Sequence, residues 1–232
     1  MTNDAIYYRD GLKLPFAKRV MLAARQRMYE LFVSECRPDA STTIVDIGAS
    51  DEESDEANML EKMHPYTNMI TCAGIGTGTA IVGAYPGIRF QHIEPGAPLP
   101  FQDGQFDIAY SNAVLEHVGG PEQRLHFIRE ALRVAKAGFI AVPHRWFPIE
   151  HHTGVPFVHF APSVFRTLLR GTRFDYWTRP ENLDFLDAAL LKREWPSDQT
   201  KRPRFIRTGV KLGWFSSNLA LVWKPCARLA AR

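Results

Sequence analysis

Apolar residues recur at helical spacing from Pro15 to Glu35. Val20, Ala24, Met28 and Leu31 share one face, with Arg25 and Arg27 on the other side. Pro38 and Asp39 end that helix. A β-branched run, Thr42 to Ile47, follows and is closed by Gly48, which predicts a buried strand and a turn. Ser54 to Met63 is expected to be helical. Asn68 to Ala73, Ile88 to Ile93 and Phe106 to Tyr110 read as three further strands, the last introduced by Gln102-Asp103-Gly104. Glu122 to Val134 is a strongly amphipathic helix after Gly119-Gly120-Pro121, and Gly138 to Val142 is a fifth strand stopped by Pro143.

Strands alternating with helices at this spacing imply an α/β, doubly wound, Rossmann-like sheet, mostly parallel, with helices on both faces. The last part of the chain differs. Pro162 to Arg170 and Glu181 to Arg193 read as helices. Arg204 to Leu212 and Asn218 to Lys224 read as two strands joined by Gly213 to Ser217. They suit an antiparallel pair at the sheet's end. The expected organisation is an N-terminal helical segment (1–40), a core (41–162) and C-terminal helices and strands (163–232) completing the same domain. In such sheets ligands lie outside the carboxyl ends of the strands. Chemistry is therefore sought just after Ile47, Ala73, Ile93, Tyr110 and Val142.

Composition adds constraints. Apolar residues make up 45% of the 232 positions and charged residues 23%, enough apolar side chains for a core. A net charge of +3 gives polyanion binding no support. The distribution is uneven: 14 basic and 19 acidic residues up to Ser163, then 14 basic and 6 acidic. Lys192, Arg193, Lys201, Arg202, Arg204, Arg207 and Lys211 carry this bias. They form either a solvated face or a surface for weak peripheral contact with an anionic substrate or membrane. Three separated cysteines without a CxxC pair suit a reducing compartment. The first fifteen residues lack an apolar h-region, and no run approaches a membrane span, so a cytoplasmic location is expected.

The most specific signal is the stretch Leu99-Pro100-Phe101, Asp103, Phe106-Asp107, Ser111-Asn112 and Leu115-Glu116-His117-Val118. It resembles the LPFxDxxFDxxxSNxxLEHV stretch of class I S-adenosylmethionine-dependent methyltransferases, in the broad group that methylates small molecules. The resemblance covers roughly Thr42 to Pro143. The later block Arg145-Trp146-Phe147-Pro148-Ile149-Glu150-His151-His152-Thr153 is similar to a bacterial subgroup with an RWFPxExHT pattern. The resemblance implies S-adenosylmethionine as cofactor. Asp46, Gly48, Ala49 and Ser50 match the first cofactor loop, and Asn112 with Ala113 match the segment after the fourth strand. Glu94, one residue out of register, matches the acid that meets adenine.

One departure stands out. The family places an acid at the end of the second strand to hold the ribose hydroxyls, whereas this chain reads Gly74-Ile75-Gly76-Thr77-Gly78. Thr77, a backbone group around Gly76, or an acid from elsewhere must substitute. Otherwise a loss of roughly 1.5–3 kcal/mol follows. The same glycines invite a dinucleotide-loop reading, but Thr79 stands where GxGxxG needs its third glycine.

His144, His151, His152 and His159 cluster around Glu150 after the fifth strand. There is no HExxH and no helical histidine pair, so no metal site is expected from spacing. The imidazoles either tie down a loop or bind substrate and accept a proton, for which histidine titrates in the right range. His152 is the first candidate for a base, His117 the second, with Glu150 beside them. Glu116 and His117 either line the site or brace their turn. Trp146, Phe147, Phe157 and Phe160 either wall an apolar pocket or fill core. The reading is O-methylation of a small-molecule, glycan or lipid-linked hydroxyl. A non-catalytic relative that binds a metabolite or partner is the alternative. Nucleic acid is not an expected partner, since no Asn-Pro-Pro-Tyr-type or Pro-Cys motif occurs.

Overall fold

A computed structural model of the chain describes residues 15–51 and 57–223. Its elements are α1 (Pro15–Cys36), β1 (Ile44–Ile47), α2 (Met59–Met63), β2 (Ile70–Gly74), α3 (Thr79–Ala84), β3 (Arg89–His92) and β4 (Phe106–Asn112). After these come α4 (Pro121–Val134), β5 (Ala135–Pro143), α5 (Pro162–Leu169), α6 (Ala188–Glu194), β6 (Pro203–Leu212) and β7 (Phe215–Trp223). Short 3-10 turns lie at Leu115–His117 and Asp175–Thr178. The strands form one sheet in the order β3-β2-β1-β4-β5-β7-β6. β1 to β5 are parallel, and β7 runs antiparallel to both β5 and β6. The chain winds outward from β1 and then returns to β4 on its other side. The switch point therefore lies between the carboxyl ends of β1 and β4, where such sheets leave a crevice.

Strand alternation sorts the core onto two faces. Ile44, Cys72, Ile108, Tyr110 and Phe139 pack with Met28, Tyr29 and Phe32 of α1 and Leu60 of α2. Phe32 meets the rings of Tyr110 and Phe139 edge-on, at centroid distances of 5.0 and 5.6 Å. Each such buried ring contributes roughly 1.5–3 kcal/mol of transfer free energy. Val45, Ile47, Ala109, Ile140 and Leu221 form the other face with Ile128 and Leu132 of α4 and Leu191 of α6. A Cβ on Gly138 would collide with the Trp223 ring, so only glycine lets that indole lie across β5. A third cluster, Phe165, Trp177, Leu183 and Phe185, belongs to the C-terminal segments.

Three expectations change. The helix expected from Glu181 to Arg193 forms only over Ala188–Glu194. Asp187 caps it, its Oδ1 accepting from the Leu190 amide at 2.8 Å. The preceding residues are extended because tertiary bonds claim them: the Asp184 amide donates to Glu116 O and the Arg145 amide donates to Leu186 O, both at 2.9 Å. The β6–β7 connection is only Gly213-Trp214. Of the helix expected from Ser54, only Met59–Met63 is found among described residues, and 52–56 lie outside them. No described helix is long and apolar enough to cross a membrane.

Two buried charge groups hold this frame. Arg124 on α4 is 1% exposed. Its Nε and Nη2 donate to Glu194 at 2.8 and 2.7 Å, and its Nη1 donates to Asp184 at 2.7 Å and to Gly119 O at 3.0 Å. On the opposite face Asp46 and Glu61 are buried together, and the Cys72 thiol donates to Glu61 at 3.1 Å. Burial pushes both carboxyls above their ordinary range; the negative charge of Glu61 raises Asp46 further.

Replacing Arg124 with Met is expected to cost about 3–5 kcal/mol in denaturant unfolding, because Asp184 and Glu194 lose their counter-charge. A loss below about 1 kcal/mol would mean that solvent already screens the two carboxylates. The acid pair gives a pH dependence of known sign. A carboxyl whose folded pKa is raised costs nothing while both states are protonated. It costs progressively more as pH rises above the unfolded value toward the folded one. Stability is therefore expected to fall as pH rises above the ordinary carboxylate range of about 4, and Asp46→Asn should flatten that fall. An unchanged slope in the variant would exclude the pair as its source.

Candidate active site

The crevice at the switch point is built from three loops. After β1 the chain turns at Gly48, whose φ of +92° and lack of a Cβ let Val114 pack directly over it. The Gly48 and Ala49 amides donate to Ala73 O at 2.7 and 3.2 Å. Ser50 is tied to Asn58 by a reciprocal pair, the Ser50 amide to Asn58 Oδ1 at 3.2 Å and Asn58 Nδ2 to Ser50 O at 2.9 Å. After β4, Ala113 is held at φ +58°, and its amide donates to Ala141 O at 2.8 Å. That left-handed residue sits between Asn112 and the turn Leu115–His117. A non-glycine residue there is strained, and such strain persists only where surroundings enforce it.

The cofactor candidates divide by placement. Gly48, Ala49, Ser50, Asn112 and Ala113 come together across the ends of β1 and β4. Asn112 Oδ1 is buried and has no hydrogen-bond partner among the described residues. An unpaired buried carbonyl oxygen at this crevice fits a ligand bearing a donor such as an ammonium group. Asp46, by contrast, points into the core toward Glu61 and acts on the loop only through its backbone. Glu94 is exposed beyond β3 and meets His92 at 3.0 Å, while His92 Nδ1 meets Gly76 O at 3.0 Å.

At the end of β2 the acid from elsewhere is Asp51. Its Oδ2 accepts from the Thr77 amide, the Thr77 hydroxyl and the Gly78 amide at 3.1, 2.9 and 2.9 Å. Its Oδ1 accepts from the Ala80 and Ile81 amides at 2.9 and 3.3 Å. Partial burial works against its charge, but the Thr77 hydroxyl and the backbone donors lower its pKa overall. Gly76 packs against the Asp51 side chain, where a Cβ would crowd it. Asp51 therefore shapes the β2–α3 loop with its own lone pairs, and the Thr77 hydroxyl is spent on it. Nothing in local spacing signals this role, because donors and acceptor lie 26 to 30 residues apart.

The second part of the site is a chain of polar side chains beyond Ala113. His117 Nδ1 donates to Asn182 O at 2.7 Å, so in the neutral ring Nε2 carries a lone pair. His152 Nε2 lies 3.1 Å from that nitrogen and must donate to it. His152 Nδ1 donates to Glu150 Oε1 at 2.8 Å. His152 is thus an imidazolium, assigned from the pattern of partners. Glu150 also accepts from the Thr153 amide and hydroxyl, both at 2.7 Å, and from the His152 amide.

The electrostatics agree with this assignment. Burial opposes charge on His152, but Glu150 and Glu116 raise its pKa. Burial would raise Glu150, yet the charge of His152 and the hydrogen bonds from His152 and Thr153 bring it down to about 2. Burial and the charge of His152 push His117 down to about 3. Burial, partly offset by His152, pushes Glu116 up to about 7. Trp177 lies against His152 at 4.6 Å and His117 at 5.8 Å between centroids.

The remaining histidines do other work. His159 Nε2 donates to Phe147 O at 2.9 Å, and His151 packs on the Phe147 ring at 5.6 Å. The His144 backbone amide donates to Ser217 O. Phe147 is buried, whereas Trp146 and Phe157 are exposed on the same loop. Glu116, weighed from sequence only with its neighbour, proves central: it is 1% exposed, and neither oxygen accepts a hydrogen bond from another described residue.

Residues 63–142 match a family model described as a methyltransferase domain. Among solved structures, an S-adenosylmethionine-dependent methyltransferase from Aquifex aeolicus is similar over 96% of this chain and 98% of its own. Its sequence identity is 14% and its TM-score 0.55. One from Methanosarcina mazei covers 84% and 95% at 17% identity and TM-score 0.54. One from Thermotoga maritima, described as a possible histamine N-methyltransferase, covers 90% of both chains at 14% identity and TM-score 0.57. At these identities the structural likeness is one of fold. No curated protein matches the sequence. Residues 63–142 thus match a methyltransferase domain, and the sheet order and crevice are the fold shared with S-adenosylmethionine-dependent methyltransferases. The matched domain implies S-adenosylmethionine as methyl donor.

Asp51→Ala removes the acceptor of five donors at the start of α3. The loss of a cap of this kind is expected to lower stability by about 0.5–2 kcal/mol, measured by denaturant unfolding. Binding of S-adenosylhomocysteine should weaken as the loop opens, and Asp51→Asn should retain part of it. Unchanged affinity in Asp51→Ala would separate the loop from cofactor binding.

Proposed function

We propose that the chain methylates a hydroxyl oxygen of a small-molecule, glycan or lipid-linked acceptor. The observation that carries this reading is the Glu150–His152–His117 chain, placed on the loops after β4 and β5 and directly beyond Asn112 and Ala113. The bound cofactor supplies a sulfonium methyl that is already electrophilic, so the protein's task is to position the acceptor and exclude water. Asn112, Gly48 and Ala49 hold the cofactor end of the crevice. A hydroxyl keeps its proton at neutral pH and profits from a basic side chain, as a neutral amine does not. His152 is the first such group, acting in its neutral form once its Nε2 proton is lost, with its ring set by Glu150; His117, whose Nε2 already carries a lone pair, is the second. Of the two, His152 is slightly more open, 14% against 10% exposed in the side chain.

The aromatic loop supports the acceptor half of the reading. Trp146 is 41% and Phe157 59% exposed beside the histidine cluster, surfaces against which the apolar part of an acceptor can lie. The same loop carries the block that resembles the bacterial subgroup, which is why the acceptor is read as a glycan, lipid-linked or secondary-metabolite hydroxyl. The basic C-terminal bias supports a lipid surface less. Lys201 donates to Leu132 O and Ala135 O, and Arg204 donates to Glu35, so part of that charge is spent within the fold.

Calorimetric titration with S-adenosylhomocysteine, with NADH as control, is expected to show binding of the former alone. Transfer of a labelled methyl group to a panel of phenols and hydroxylated sugars then tests the acceptor. His152→Ala should lower the rate by about 10²–10⁴-fold while cofactor binding stays near that of the unmodified chain. Label appearing only in amines would overturn the hydroxyl reading. A His152→Ala rate close to that of the unmodified chain would remove His152 from the chemistry.

A further inference from the structure

Three donor groups converge beyond β4 in a way that the proton between the two imidazoles does not fully explain. His117 Nε2 and His152 Nε2 are 3.1 Å apart, Glu116 Oε1 is 3.6 Å from His117 Nε2, and the three ligand atoms lie within 4.8 Å of one another. A tetrahedral zinc ion with bonds of roughly 2.0–2.1 Å separates its ligand atoms by roughly 3.3 Å. The observed spacing brackets that value, so the ion needs only small side-chain adjustments.

The outer partners point the same way. Histidines that bind metal donate their other ring nitrogen to a carbonyl or a carboxylate, which fixes the tautomer and the ring plane. Both arrangements occur here: His117 Nδ1 to Asn182 O and His152 Nδ1 to Glu150 Oε1. Glu150 is in turn fixed by Thr153. The third group, Glu116, is buried with two oxygens that accept no hydrogen bond from another described residue. A buried ionised carboxylate without donors is costly, and a cation at its mouth removes that cost. With a divalent ion in place, two neutral imidazoles and the carboxylates of Glu116 and Glu150 bring the cluster to zero net charge.

We propose that Glu116, His117 and His152 bind a divalent transition-metal ion of the zinc class. Two imidazole nitrogens and one carboxylate oxygen favour such an ion over magnesium or calcium, which prefer all-oxygen sites. Three protein ligands leave a fourth position for water or an acceptor oxygen. With the ion bound, both Nε2 lone pairs are taken and neither imidazole acts as a base. Metal binding itself does not depend on which acceptor is used, and only placing the acceptor oxygen in the fourth position rests on the hydroxyl reading above. Glu116 and His117 are adjacent on one turn, and His152 comes from another loop 35 residues on. No ligand-spacing motif could announce such a set.

The test uses the full chain, stripped with a chelator and then dialysed against zinc. Elemental analysis is expected to find one zinc ion retained per chain. Loading with cobalt should shift and intensify its visible absorption relative to the aqueous ion. Glu116→Gln and His152→Ala should each lose the bound ion. Glu150→Gln, which touches no metal, should weaken binding by about 10–100-fold. His126→Ala, on α4 outside the cluster, should bind as the unmodified chain does. Failure of the unmodified chain to retain zinc overturns the proposal. So does retention undiminished in folded Glu116→Gln and His152→Ala. Should either ligand variant fail to fold, the cobalt spectrum of the unmodified chain decides alone, and an aqueous-type spectrum rejects the site. Titration with S-adenosylhomocysteine in parallel separates loss of the metal from loss of the cofactor.

Discussion

The guanidinium of Arg124 is the group on which the site's arrangement depends. It is buried on α4, yet its carboxylate partners lie on two other segments, Asp184 on the extended stretch before α6 and Glu194 at the end of α6. Asp184 and its neighbours are also the strap that reaches the site. The Asp184 amide donates to Glu116 O, Asn182 O receives His117, and Leu186 O receives the Arg145 amide. One fixed cation thus holds the backbone that orients the turn after β4 and the loop after β5. Bidentate geometry matters here, since a lysine at 124 could neutralise charge but not fix two planes at once.

The carboxylates near the crevice show how little residue type alone decides. Asp51 meets five donors and stays ionised, so it acts as a structural anion at the start of α3. Asp46 and Glu61 face one another with few donors, and burial pushes their pKa values up. Glu150 has four donated hydrogen bonds and a cationic neighbour, and remains charged although buried. Glu116 accepts from no other described residue and is pushed up to about 7. Supply of donors, more than depth, separates these fates.

The pattern of α4 is long, and the short apolar runs of β1 to β5 are bounded by turn residues, so those elements were legible in the chain. The motif from Leu99 to Val118 located the switch point for the same reason, because it spans one strand and the turn that follows. What was not legible depends on contacts distant in sequence. Glu181 to Asp187 carries a helical pattern, but Glu181 and Asn182 lie in a turn, and bonds from Asn182, Asp184 and Leu186 to His117, Glu116 and Arg145 keep the stretch out of a helix. Asp51 was invisible because its donors lie on the far side of β2. Asp46 stood at the expected position, yet strand alternation turns its side chain to the α1 face, and only its backbone borders the crevice.

The same logic explains why the β1–β4 crevice and the polar cluster are joined so closely. Gly48 has no Cβ, so Val114 can sit over it, and Ala113 takes a left-handed turn to bring that about. Asn112 therefore faces the crevice, while Glu116 and His117, only four and five residues later, face the polar cluster. A segment this short, anchored by Ala113 to Ala141 and by His117 to Asn182, leaves little freedom between the two ends. The in-line transfer proposed above would demand such a fixed separation, because misplacement on the order of 1 Å costs roughly a hundredfold in rate. The positioning is thus carried by a strand end and one strained residue rather than by a mobile loop, and substitutions at Gly48 or Ala113 would disturb both ends together.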